Sequence, residues 1–150
     1  MKRKFLAVTF AAAMLAVFGI TASAQRNVAP VLDPLLEADA KHNLDVAKQA
    51  FTPLKQAYKQ ALGRFEETYA AYPEFSAIGE FLYIAGMSSY YLSENKGKQK
   101  VNLKSEREKT KYDPAKLREE ATAYLTIVIE KYPEIKDIDN AKKTLALLKK

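Results

Sequence analysis

Apolar positions at spacings of three and four run through most of the chain after residue 33. Asp33-Pro34 reads as a helix start, since Asp can cap the free amides of a first turn and Pro suits its first position. Leu36, Ala40, Leu44, Ala47 and Phe51 then mark one buried face. Thr52-Pro53 repeats the start signal. It predicts a second helix with Leu54, Ala57, Tyr58, Ala61, Leu62, Phe65, Tyr69 and Tyr72 on its apolar side. Tyr72-Pro73 ends it, because the residue before a proline is pushed out of helical geometry. A third helix is expected from about Ala77 to Ser93, on Ile78, Phe81, Leu82, Ala85, Tyr90 and Leu92. Asp113-Pro114 opens a fourth, carrying Leu117, Ala121, Tyr124, Leu125, Val128, Ile129 and Tyr132, which Tyr132-Pro133 closes. A last helix spans about Asp137 to Leu148, with Ile138, Ala141, Leu145 and Leu148 on one face. No alternating strand of useful length interrupts this series, so the expected class is all-α.

The chain before residue 33 has a different pattern. Met1-Lys2-Arg3-Lys4 is basic, Phe5 to Ile20 is free of charge, and Ala22 and Ala24 make a small-x-small site. Together they read as a secretory signal peptide over residues 1–24, cleaved after Ala24, followed by an extended lead-in over 25–32. The alternative is an uncleaved anchor, but the apolar run falls short of the roughly 20 residues a spanning helix prefers. With no cysteine in the chain, lipid attachment, disulfides and cysteine-ligated metal are all excluded. The basic start looks bacterial, so the expected location is the periplasm or the outside, with no transmembrane helix after cleavage.

The two Tyr-Pro endings lie 60 residues apart, and the helices before them align. Ala61, Phe65, Thr68, Tyr69, Tyr72 and Pro73 fall on Ala121, Leu125, Val128, Ile129, Tyr132 and Pro133. The small residue admits a neighbouring helix, the larger ones continue the buried stripe, and proline forces the next turn. This pattern resembles the second helix of a tetratricopeptide repeat, and Ala85-Gly86 followed by Tyr90-Tyr91 is a looser match to that family's first helix. In style the chain is most similar to exported bacterial members, the outer-membrane assembly lipoprotein and Tol-Pal coordinator families, without their lipid-attachment cysteine. The 60-residue spacing exceeds the usual repeat of about 34 residues by roughly the length of a basic insertion over 94–111. The resemblance implies that residues 33–150 form antiparallel helix pairs stacked as a short α-solenoid of about two and a half repeats. It also implies partner recruitment at the cell envelope through a groove lined by first helices. On that reading Tyr83, Met87, Tyr90 and Tyr91 are the candidate groove residues, with Ser88 and Ser89 keeping the surface open and polar. Aromatic, methionine and small polar side chains suit peptide recognition.

Catalytic chemistry has no candidate set. The single histidine, His42, has Asp39 and Asp45 nearby on a helix face, too few ligands for a metal site. Glu66-Glu67 and Glu119-Glu120 are adjacent in sequence and so diverge. No phosphate loop, nucleophile motif or metal-binding helix is visible. The chain is expected to be no enzyme, with no cofactor and no metal.

The net charge of +6 suggests nucleic acid or a membrane surface until it is located along the chain. Lys2, Arg3 and Lys4 belong to the signal. The 94–111 segment carries +4, and the rest of the mature chain is close to neutral. That segment holds only Val101 and Leu103 as apolar residues. It reads as an exposed connection, partly helical near Ser105 to Thr110. Lys96, Lys98, Lys100, Lys104, Arg107 and Lys109 are the candidate electrostatic contacts. Nucleic acid is disfavoured, because the segment lacks interleaved aromatics. The expected function is an exported protein–protein interaction module holding a peptide or helix of an envelope partner. The alternative is a basic-loop binder of anionic lipid or polyanion, with the helices as scaffold.

Overall fold

The computed structural model describes residues 32–149, and these are entirely helical and irregular. The proposed signal peptide and nearly all of the lead-in lie outside the described residues. Among the described residues six helices follow one another: α1 (Pro34–Phe51), α2 (Tyr58–Ala71), α3 (Ile78–Ser93), a short α4 (Glu106–Lys111), α5 (Pro114–Lys131) and α6 (Ile138–Leu148). No helix among the described residues is long and apolar enough to cross a membrane.

The two Asp-Pro starts are built as the residues dictate. Asp33 Oδ1 accepts from the amides of Leu35 (2.9 Å) and Leu36 (3.4 Å), and Asp113 Oδ1 from those of Ala115 and Lys116 (3.0 Å each). Thr52-Pro53 does not start a helix. The Thr52 hydroxyl instead donates to the Gln49 carbonyl (2.9 Å), closing the last turn of α1. The chain then reverses through Gln56, whose φ is +47°, and the Ala57 amide returns to the Ala50 carbonyl (2.8 Å). Leu54 is thereby left in the turn, 79% exposed, rather than on the buried face of α2.

Each long helix packs on the next, and α1 also touches α3, as α3 touches α6. α3 is the centre, with twelve of its sixteen residues buried, because it has neighbours on nearly all sides. Ser88 and Ser89, expected on an open polar surface, are fully buried for that reason. α3 and α5 run antiparallel in close contact. A Cβ on Gly79 would meet the Tyr132 ring at 2.6 Å, and one on Gly86 would meet Leu125 at 2.9 Å. At the other end Arg118 is ion-paired with Glu94.

The turn after each Tyr-Pro is the same structure built twice. The amides of Tyr72, Phe75 and Ile78 donate to the carbonyls of Thr68, Tyr72 and Phe75. Those of Tyr132, Ile135 and Ile138 donate to Val128, Tyr132 and Ile135 in the same order. Ala61, Phe65 and Thr68 on α2, and Ala121, Leu125 and Val128 on α5, are all buried. Tyr69 differs from its expected core role. It stacks on Phe65 (5.3 Å, 22°) from outside and stays 45% exposed.

Candidate functional site

A cleft of about 630 Å³ opens between α1, α3 and α6. Its floor is apolar, from Phe51 on α1 and Tyr83, Ile84, Met87 and Tyr91 on α3. The far wall comes from the second Tyr-Pro turn and α6, through Ile135, Asp137, Asn140 and Thr144, and its rim carries Lys48, Glu80, Lys136 and Lys143.

Three of the four groove residues named from the sequence therefore share this cleft. Tyr83 and Met87 are largely buried and show it only their exposed edges, while Tyr91 is half-buried at one end. Tyr90 is not among the lining residues; its ring lies against Tyr91 (5.5 Å) beneath the Lys96 ammonium (5.4 Å). The aromatic end of the cleft is a packed cluster. Phe51 stacks near Tyr91 (6.1 Å, 29°) and meets Tyr83 edge-on (6.3 Å, 71°), and Tyr58 sits 4.8 Å from Tyr91. Such ring clusters hold a binding surface in one shape at low entropic cost.

Lys48 and Glu80 are ion-paired across the α1–α3 side of the mouth. Burial, and then the nearby Asp137 carboxylate, push the Tyr83 hydroxyl up to about 12, with the Asn140 side chain partly offsetting them. Tyr83 is thus a neutral hydrogen-bonding group at any physiological pH. Lys136 and Lys143 have no carboxylate within ion-pair distance among the described residues, so the rim keeps cationic character against Asp137. The α6 contribution was not singled out in the sequence. Asn140 and Thr144 lie beside the apolar stripe of Ile138, Ala141 and Leu145, but only the packing of α6 on α3 aims them into a cleft.

The basic segment is folded onto the α1–α2 turn. The Lys98 amide donates to Gln56 O (3.1 Å) and its ammonium to Leu54 O (2.6 Å). Gln99 Oε1 accepts from the Gln60 amide (3.1 Å). Gly97 sits at φ +97°, with the Tyr58 ring where a Cβ would be, and so holds the loop against α2. Glu108 anchors the far side, accepting from Lys59 Nζ (2.7 Å) and the Asn102 amide (2.8 Å). These bonds, the Lys59 one first, hold its carboxyl below the usual range. Lys111 pairs with Glu66 (2.6 Å), which raises its ammonium.

Of the basic candidates, Lys96 covers the tyrosines and Lys100 reaches its own loop at Asn95 O (2.9 Å). Lys109 lies 3.6 Å from Glu106, while the side chains of Lys104 and Arg107 have no carboxylate partner among the described residues. No cluster of three or more metal-ligating side chains occurs among the described residues, and Asp39, His42 and Asp45 are exposed along α1. A scan against protein-family models finds no match, and searches of the curated proteins and of the solved structures find none either.

Proposed function

We propose that this chain is an exported interaction module of the bacterial cell envelope, seating a peptide or helix of a partner protein in the α1–α3–α6 cleft. The observation that carries the reading is the cleft itself: an apolar, aromatic-pinned floor about 630 Å³ in volume under a rim of lysines and single carboxylates. That combination suits an amphipathic segment with apolar anchors and polar flanks. The helix order supports a tetratricopeptide-like α-solenoid as the scaffold. Successive long helices pack in sequence, α1 touches α3 as α3 touches α6, and the Tyr-Pro turn recurs with the same hydrogen bonds. The basic, then apolar, then small-residue pattern of residues 1–24 supports export.

A photo-crosslinker at Lys143 tests this. In an envelope extract it is expected to capture a discrete partner, identified from the crosslinked peptide. Asn140→Trp, which places an indole across the mouth, is expected to abolish that capture, while the same substitution at exposed Thr110 leaves it intact. Undiminished capture by the Asn140→Trp protein refutes the cleft as the binding site.

A further inference from the structure

We infer that the end of the bundle formed by the 52–57 turn and the 94–105 loop docks on an anionic lipid bilayer, with Leu54 and Leu103 entering the acyl boundary. The surface lies outside the cleft, and the inference does not depend on the cleft's occupant.

Leu54 and Leu103 are 79% and 74% exposed, and among the large apolar side chains of the described residues only Leu35 is comparably open, at 77%. A single exposed leucine is ordinary. What distinguishes these two is their setting. Each projects from a loop, each is followed by a lysine (Lys55 and Lys104), and the loops are bound to one another at the same end of the bundle. The two loops hold Lys55, Lys96, Lys98, Lys100 and Lys104 against a single acidic residue, Glu94, which is ion-paired with Arg118. None of these five ammoniums has a carboxylate partner among the described residues; those with contacts donate to backbone carbonyls or lie over rings, and so keep their charge.

The backbone under the leucines is pinned. Lys98 ties the 94–105 loop to the carbonyls of Gln56 and Leu54, Lys59 Nζ donates to the Lys100 carbonyl (3.1 Å), and Glu108 accepts from the Asn102 amide beside Leu103. Two leucines are thus presented without further ordering cost, from loops that carry five lysines. The leucines decide the partner class. A polyanion has no use for them. An acidic protein would need two apolar sockets at matching positions, whereas a bilayer accepts both at any lateral position while its headgroups meet the lysines.

The chain has no cysteine, so single-site labelling is clean. Full chains carrying Leu54→Cys, Leu103→Cys or, in the opposite Tyr-Pro turn, Glu134→Cys are labelled with an environment-sensitive fluorophore. They are mixed with equimolar phosphatidylglycerol–phosphatidylcholine vesicles and with pure phosphatidylcholine vesicles. Blue-shifted emission is expected at 54 and 103 on the anionic vesicles only, with none at 134, and the shift should fall as salt is raised. Vesicle cosedimentation of Leu54→Ser/Leu103→Ser is expected to weaken by about tenfold or more relative to the parent chain. Both sites are exposed, and an unchanged urea midpoint confirms the fold. The inference is overturned if the labels at 54 and 103 stay unshifted on anionic vesicles, or shift equally on neutral ones. It is also overturned if the leucine pair leaves anionic vesicle binding unchanged while heparin competes it away; this last result would identify a polyanion site instead.

Discussion

The contact between α3 and α5 is made possible by a missing side chain, and restoring one carbon tests the packing. A Cβ on Gly86 would lie 2.9 Å from both Cγ and Cδ2 of Leu125 and 3.3 Å from the Tyr124 Cβ. Carbon–carbon contact favours about 3.5–4.0 Å, and Leu125 is fully buried, so either its rotamer or the helix spacing must give. Overpacking of this kind costs about 1–3 kcal/mol. Alanine in place of a mid-helix glycine returns about 1 kcal/mol. Gly86→Ala should therefore be less stable by about 1 kcal/mol. Gly63→Ala on α2 measures the helix term alone, since nothing lies within 4 Å of its Cβ position, and should gain about 0.5–1 kcal/mol. Leu125→Ala should lose about 2–5 kcal/mol. In that background the new methyl has room, so Gly86→Ala should change sign, giving a coupling of about 2 kcal/mol between the sites. Urea unfolding followed by far-UV circular dichroism reads all five proteins. The reasoning fails if Gly86→Ala stabilises as much as Gly63→Ala, or if the cycle is additive within about 0.5 kcal/mol.

Gly97→Ala sets a Cβ against the Tyr58 ring at a φ of +97°. It should release the 94–105 loop, seen as faster hydrogen exchange at the Lys98 amide with the α3 core still protected. Asp33→Ala and Asp113→Ala each remove a helix cap accepting two amides, and each should cost about 1 kcal/mol in urea unfolding. Glu108 has a depressed carboxyl because Lys59 and the Asn102 amide bind its ionised form. Its stabilising contribution is complete above the unfolded carboxylate value of about 4.3 and is lost as pH falls through the lower folded value. Glu108→Gln should flatten that acid limb of stability against pH. An unaltered limb would mean that Lys59 does not hold this carboxylate.

Local rules in the sequence were sufficient for the helices and most of their ends. Asp33-Pro34 and Asp113-Pro114 cap as their side chains dictate, and both Tyr-Pro steps end a helix because proline constrains the residue before it. The same rules misplaced Thr52-Pro53, where a similar signal sits next to the end of α1. The Thr52 hydroxyl can cap either way, and antiparallel packing of α2 on α1 demands a reversal there. They also left Ser88 and Ser89 on a surface, because polarity along one helix does not reveal how many neighbours that helix has.

Tertiary structure decided the rest. Tyr83, Met87 and Tyr91 could be picked out as a set, but their joining with Asn140 and Thr144 into one cleft depends on α6 lying across α3. The basic segment could be located and its charge counted, yet its attachment to the 52–57 turn rests on Gly97, Tyr58 and Glu108, which are far apart in the chain. Periodicity and capping are properties of a few consecutive residues, so the chain alone determines them. A cleft, a pinned loop and a pair of projecting leucines each depend on which faces meet, and that is settled only when every helix has buried its apolar stripe.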